Sequence, residues 1–314
     1  MTAPVRLAGV GAAPPWVGWC CSYCSAPLLP QEHGLLCAGE GRFFATVDGV
    51  HRLLPEERRS EIRPFLELYQ RVRRDEGWRL EPGLPDVSPT HPRALVWQQR
   101  ARRFRDGLAR AAAALGPGPW RVLEVGAGCA WASLRLLEMG HRVAAVDVNL
   151  DPDDGLVAAN RMLAEPAALP RAEAEMSALP LEPGSFDLVL AAGALHYAAS
   201  LTSTLVELRR VTRRDGVLLV LDSPVYRRRP DGEAMVAARM RDQARRYSLV
   251  LSREVQSSYF VVGELPALFR QAGWQLETAL WPGPLRELAR DLVEMARHGR
   301  RTARFPTLVA RRDG

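Results

Sequence analysis

From Trp120 to Asp147 the chain runs through a short apolar stretch, two close glycines, an amphipathic segment and a second apolar stretch. The first stretch reaches Val125 and breaks at Gly126 and Gly128; the second follows Gly140 and ends on an acid, Asp147. The order predicts strand, glycine turn, helix and strand. That is a right-handed βαβ unit whose first turn can cradle a nucleotide-like ligand. Glycines let backbone approach a ligand closely, and the helix start offers unpaired N–H donors. An acid ending the second strand can accept both hydrogen bonds of a ribose diol.

A dinucleotide fingerprint, G-x-G-x-x-G, would need its third glycine at position 131, which is Trp131. The stretch resembles instead the first motif of class I S-adenosylmethionine (SAM) methyltransferases, E/D-x-G-x-G-x-G. Here it runs from Glu124 through Gly126 and Gly128, with Ala130 in place of the last glycine.

Further residues carry the same resemblance. Leu179-Pro180 followed by Gly184-Ser185-Phe186-Asp187-Leu188-Val189 is similar to a signature of the methyltransferase group that includes the ubiquinone and menaquinone enzymes. Leu195-His196-Tyr197 and the turn from Arg213 to Leu218 fit the same group. The likeness is close over about 118–223 and loose over the rest of the sheet. It implies an α/β fold, a Rossmann-like doubly wound seven-stranded sheet, with SAM as cofactor. It further implies cofactor contacts from Glu124, Gly126, Ala127 and Gly128 on the methionine moiety, Asp147 and Val148 on the ribose, Glu175 and Met176 on the adenine, and Ala192 on the fourth strand of the sheet.

Methyl transfer from a sulfonium is an in-line displacement needing no metal, and alignment supplies much of the acceleration. A base is required only if the acceptor must lose a proton. His196 is the candidate base at a strand's carboxyl end, where such sheets bind ligands; packing beside the cofactor is its alternative role. Tyr197 is a second catalytic candidate, and Asp222 and Tyr226 are candidates for the acceptor site.

Four of the five cysteines lie between 20 and 37, a pattern that fits a reducing compartment and a metal site better than a disulfide framework. Cys21-x-x-Cys24, then Cys37, then Phe43–Val47, Asp48-Gly49 and Val50–Leu54 suggest two metal-bearing turns and a hairpin. This resembles the amino-terminal zinc ribbons of some methyltransferases, with Glu40 standing where the fourth cysteine would be. Cys21, Cys24 and Cys37 are candidate zinc ligands; Glu40, His33 and Cys20 compete for the fourth place. A packed hairpin without metal is the alternative.

Residues 1–19 are expected to be poorly ordered. From 57 to 115 the periodicity turns helical, with Ile62, Phe65, Leu66, Tyr69 and Val72 on one face and Trp97, Ala101, Phe104, Leu108 and Ala112 on another. The expected organisation is a ribbon-like module over 1–56, a helical lid over 57–115 and a methyltransferase domain over 116–314. An insertion at about 224–260 carries a helix with Val236, Met240, Ala244 and Tyr247 on one face. Helices are also expected at Gly155–Leu163, Gly263–Ala272 and Leu285–Arg297, and strands at Ala172–Glu175, Trp274–Trp281 and Pro306–Ala310.

The net charge is +6, and every one of the 42 basic residues is arginine. A lysine-free chain points to codon bias, so the charge weighs little for nucleic acid. Pro14, Pro15 and Pro27 interrupt the uncharged stretch from Leu7, which cannot span a membrane. The expectation is a cytoplasmic SAM-dependent methyltransferase of a small molecule. The alternatives are an RNA base methyltransferase that uses the ribbon for RNA and, in another class, a non-catalytic SAM-fold partner.

Overall fold

The computed structural model describes residues 16–247, 259–280, 291–297 and 299–312. The βαβ unit forms as expected: β5 (Arg121–Val125), α3 (Trp131–Glu138) and β6 (Arg142–Asp147), with β5 and β6 paired in parallel from Arg121↔Arg142 to Val125↔Val146. Val122, Leu123, Val125 and Val143–Val146 are buried, as the unbroken apolar runs require of strands covered on both faces.

The other strands of this sheet are β7 (Arg171–Glu173), β8 (Phe186–Ala192), β9 (Thr212–Leu221), β12 (Trp274–Leu280) and β13 (Thr307–Arg312), in the order β7-β6-β5-β8-β9-β13-β12. Only β13 runs antiparallel, against both β9 and β12. Strand order reverses between β5 and β8, the switch point at which open α/β sheets bind ligands.

Four amino-terminal strands extend the sheet: β1 (Leu28–Gln31), β2 (Gly34–Cys37), β3 (Phe43–Val47) and β4 (Val50–Arg52). The β3–β4 hairpin turns through Asp48 and Gly49, both at positive φ (53° and 72°), as a two-residue Asp-Gly turn demands. β4 then pairs in parallel with β7, His51 against Ala172 and Arg52 against Glu173.

Helix α1 (Glu56–Asp75) and α2 (Ala94–Leu115) lie across the carboxyl edge and one face of the sheet; α4 (Leu201–Val211) and α6 (Leu265–Gln271) cover the other. Leu68 is the fully buried residue of α1, while Trp97, Ala101, Phe104 and Leu108 of α2 are buried with Gly107, which faces Leu219 of β9. Helix α5 (Arg229–Tyr247) falls within the expected insertion, with Val236 buried. Two short parallel strands, β10 (Val225–Tyr226) and β11 (Phe260–Val261), bracket the insertion. Among the described residues no helix is long and apolar enough to cross a membrane.

Three expectations change. Residues 16–20 are ordered against the 180–182 loop: Val17 and Trp19 are buried, and the Cys20 N–H donates to the Pro180 carbonyl at 2.9 Å. Residues 1–15 lie outside the described residues. The helix expected at Gly155–Leu163 is a short 3-10 segment, Leu156–Arg161, because the buried Arg171 guanidinium takes the Leu156 carbonyl (2.7 Å) and the Asn160 side chain (2.6 Å). The β1–β2 hairpin is not among the expected strands. Of the helix expected at Leu285–Arg297, only 291–297 is described, and it is helical; position 281 also lies outside the described residues.

Candidate functional site

The glycine turn joins β5 to α3. Gly126 and Gly128 have φ of +62° and +53°, and a Cβ on Gly126 would stand 2.3 Å from the Ala194 Cβ and 3.4 Å from the Met176 methyl. Gly126 is therefore obligatory: it lets the turn touch the loop after β8 and the segment after β7 at once. Ala130 also adopts the left-handed conformation (φ +58°, ψ +28°) and is fully buried, so the alanine occupies the backbone conformation that a glycine would hold without strain.

Ala130 offers no side-chain cap to α3. Glu124, the buried acid of β5, does that work from below. Its Oε2 accepts the Ser133 backbone N–H at 2.8 Å and the Ser133 hydroxyl at 2.5 Å. Burial raises the Glu124 carboxyl to about 7, against the lowering pull of the two Ser133 hydrogen bonds. Asp147, ending β6, ties its strand to the turn: Oδ2 accepts the Gly128 N–H at 2.6 Å and Oδ1 the Asn149 N–H at 2.7 Å. Burial moves Asp147 above its ordinary value too, opposed by those N–H donors. Each Asp147 oxygen keeps a further lone pair, which is what a diol requires.

Glu175 is engaged by the first helix. Arg58 of α1 grips it bidentately, Nε to Oε2 at 2.9 Å and Nη2 to Oε1 at 2.7 Å. The next residue, Arg59, holds the buried Glu173 in the same way at 3.0 and 2.9 Å. Farther along α1, Gln70 donates to Asn149 (2.9 Å) and Arg73 to Asp154 (2.5 and 2.9 Å). The helix thus spans the carboxyl edge from β7 to the loop after β6, fastened at both ends.

Beside the glycine turn lies a cavity of about 430 Å3. Gly126, Ala127, Gly128 and Ala192 form its floor, and His196, Tyr197, Asp222 and Tyr226 line it, as do Tyr69, Trp78, Trp97 and Trp131. Asp147, Val148, Glu175 and Met176 are not among its lining residues. A wider depression of about 680 Å3, around Pro183, Arg209 and Gly273, sits at the opposite strand ends.

His196 is buried, with Nδ1 3.4 Å from the Ser223 hydroxyl. Burial, reinforced by Arg239 and Arg100, lowers its imidazole to about 3. The ring is therefore neutral at physiological pH, a hydrogen-bonding group and a weak base. Tyr197 joins Tyr69 (centroids 5.7 Å apart) and Phe65 (6.2 Å) in an aromatic cluster over the cavity. Asp222, at a φ of +56°, accepts from Arg103 at 2.5 Å and lies 3.5 Å from Arg100, both on α2.

The expected lid over 57–115 does contribute to the cavity, but none of the lining residues of α2 and the loop before it was singled out from the sequence as a site residue. Trp78 is covered by the guanidinium groups of Arg73 and Arg93, at 4.3 and 4.4 Å, and of Arg100, at 5.0 Å. Trp97 packs edge-on against Trp131 at 5.7 Å, so this aromatic stripe serves core and cavity together. Arg100 and Arg103 lie one turn apart on α2, and both reach Asp222.

In the amino-terminal region, the sulfur atoms of Cys21, Cys24 and Cys37 lie within 4.8 Å of one another. Cys20, His33 and Glu40 are outside that cluster.

Residues 123–220 match a family model described as a methyltransferase domain. Among solved structures, the 1,6-didemethyltoxoflavin-N1-methyltransferase of Burkholderia thailandensis, bound to 1,6-didemethyltoxoflavin and S-adenosylhomocysteine, is 20% identical. The match covers 88% of this chain and 98% of that one, with a TM-score of 0.51. A candidate sarcosine dimethylglycine methyltransferase from Galdieria sulphuraria is 14% identical over 70% of this chain and 88% of that one, with a TM-score of 0.50. A chain from the complex of the Haloferax volcanii Trm112 methyltransferase activator with a candidate methyltransferase is 16% identical over 70% and 92%, also at 0.50. No curated protein matches the chain. The protein thus has the class I SAM-dependent methyltransferase fold and carries a methyltransferase domain over 123–220.

Proposed function

We propose that this chain binds SAM along the carboxyl ends of β5, β6 and β8 and methylates a small molecule held in the adjoining cavity. The observation that carries the reading is the cavity itself. At about 430 Å3 it is of small-ligand size, opens onto the glycine turn and is walled by aromatic rings.

The residues fit the cofactor. Gly126 has no room for a side chain and Gly128 holds a left-handed backbone, so the turn lets a ligand approach the main chain closely. Glu124 fixes the turn from beneath, Asp147 has lone pairs left for the ribose hydroxyls, and Met176 lies against Gly126 where an adenine face would rest. Glu175, steadied by Arg58, offers its remaining lone pairs to the adenine amino group. Val148 extends the ribose side. When bound, the sulfonium supplies an electrophilic methyl and departs as a neutral thioether.

The protein's part is positioning. Tyr69, Trp78, Tyr197 and Tyr226 wall a planar acceptor, and exclusion of water keeps its lone pair on the methyl carbon. Neutral His196 accepts a hydrogen bond from an acceptor N–H or O–H and so orients it. Three of the arginines around the cavity are paired with acids, Arg73 with Asp154, Arg79 with Glu81 and Arg100 with Asp222, which favours a small acceptor over an RNA backbone.

Transfer of labelled methyl from SAM separates the readings. Incubation with a low-molecular-weight cell fraction and, in parallel, with total RNA should label the small-molecule fraction. Label confined to RNA would replace this reading with the nucleic-acid one, and no saturable SAM binding would leave only a non-catalytic partner.

A further inference from the structure

The two cysteine-bearing turns of the amino-terminal region are the same loop built twice. In the first, the Cys21 N–H donates to the Ala26 carbonyl at 2.8 Å and the Ser25 N–H to the Cys21 carbonyl at 2.9 Å. In the second, the Cys37 N–H donates to the Arg42 carbonyl at 2.8 Å and the Gly41 N–H to the Cys37 carbonyl at 3.0 Å. Ser25 and Gly41, at matching positions, both have positive φ, 60° and 67°. Each turn also aims a backbone N–H at the sulfur of its first cysteine, Tyr23 at Cys21 (3.4 Å) and Glu40 at Cys37 (3.3 Å). Such N–H donors stabilise a thiolate.

The internal symmetry pairs Cys21 with Cys37 and Cys24 with Glu40. Glu40 thus stands in the second turn where Cys24 stands in the first, its carboxylate 3.5 Å from Arg42 Nε, and Cys24 Sγ lies 3.4 Å from Cys37 Sγ. Gly39 closes the space between the turns: a Cβ there would stand 3.0 Å from the Ala26 Cβ and 3.3 Å from Cys24 Sγ. Neither rival fits. His33 is at the tip of the β1–β2 turn, its side chain 82% exposed beside Glu32. Cys20 stands before the first turn, its N–H on the Pro180 carbonyl, and has Glu182 and Arg210 for charged neighbours.

We propose that Glu40 is the fourth ligand of a tetrahedral zinc site formed with Cys21, Cys24 and Cys37. Zinc–thiolate bonds of about 2.3 Å set sulfur atoms about 3.8 Å apart in a tetrahedron. The observed cluster, with one sulfur pair at 3.4 Å and all pairs within 4.8 Å, reaches that geometry by shifts of an ångström or less. A carboxylate in place of a thiolate makes this site one thiolate short of the full four-cysteine set, so Glu40→Cys should tighten it.

The test uses the full-length chain purified from zinc-supplemented medium, with metal content, X-ray absorption and chelator competition as readouts. One zinc per chain is expected, with three sulfur neighbours and one oxygen. Glu40→Ala should weaken zinc by more than the roughly tenfold that losing a ligand's hydrogen-bond partner already costs. Glu40→Cys should convert the shell to four sulfur atoms and bind more tightly. His33→Ala and Cys20→Ser should change nothing. A metal-free chain, a Cys24–Cys37 disulfide, or unchanged zinc affinity in a folded Glu40→Ala variant would overturn the assignment, as would loss of zinc on His33→Ala. None of these outcomes bears on SAM binding.

Discussion

The Glu124 carboxylate receives both the backbone N–H and the hydroxyl of Ser133, at 2.8 and 2.5 Å. A strand acid thereby caps the helix that follows the glycine turn, and the turn is held at both ends. Because Glu124 is buried, its carboxyl rises to about 7. A raised carboxyl makes the folded state hold more protons than the unfolded chain, so stability is lost as pH climbs from about 4.5 to 7. His51, lowered to about 4 by burial and Arg171, and His196 act in the opposite sense, losing stability as pH falls. The difference between wild type and Glu124→Gln isolates the carboxyl. It should change by roughly 1 kcal/mol per pH in favour of the variant across that window, read by urea denaturation. A flat difference would mean that Glu124 is already ionised there.

Ala130 carries a left-handed backbone that costs an L-residue roughly 1–2 kcal/mol. Ala130→Gly should therefore stabilise the chain by about 1 kcal/mol, after allowance for the freer unfolded chain. Destabilisation would show that the buried methyl group packs better than its backbone suffers.

Gly126→Ala is the reverse experiment. The added methyl would meet the Ala194 Cβ at 2.3 Å, which is backbone-borne and cannot swing away. Overpacking of this kind costs typically 1–3 kcal/mol. The variant should remain folded by circular dichroism yet lose SAM binding in calorimetry, because the turn must move off the loop after β8.

Asp222 is held in its left-handed conformation by Arg103 and Arg100. Arg103→Leu should cost roughly 2 kcal/mol, less than a fully buried pair because the guanidinium keeps solvent contact. Asp222→Asn tolerates the same backbone, so the double variant should recover part of the loss. Strict additivity in that cycle would remove the ion pair from the account.

The βαβ unit and the apolar strand β8 were legible in the sequence because their patterns are local: apolar runs that stop at a glycine or, in β6, at the acid Asp147. The docking of α1 was not, since Arg58 and Arg59 meet Glu175 and Glu173 more than a hundred residues away. The 3-10 segment after β6 was misread for a similar reason, a helical pattern overridden by the distant Arg171. The β1–β2 hairpin escaped notice because its strands have four residues each, one including Pro30, and mostly exposed side chains in the first. At the cavity, motif residues such as Gly126, Gly128 and His196 could be named in advance, whereas Trp78 and Arg100 reach it through tertiary packing that no local pattern encodes.

The central claim is that the glycine turn and Asp147 hold SAM. Calorimetric titration of S-adenosylhomocysteine into wild type, Gly126→Ala and Asp147→Ala tests it most directly. Saturable binding at one molecule per chain is predicted for wild type, and loss or severe weakening in both variants while their circular dichroism stays native-like. No binding of either SAM or S-adenosylhomocysteine to the wild type, or undiminished binding to both variants, would contradict the account.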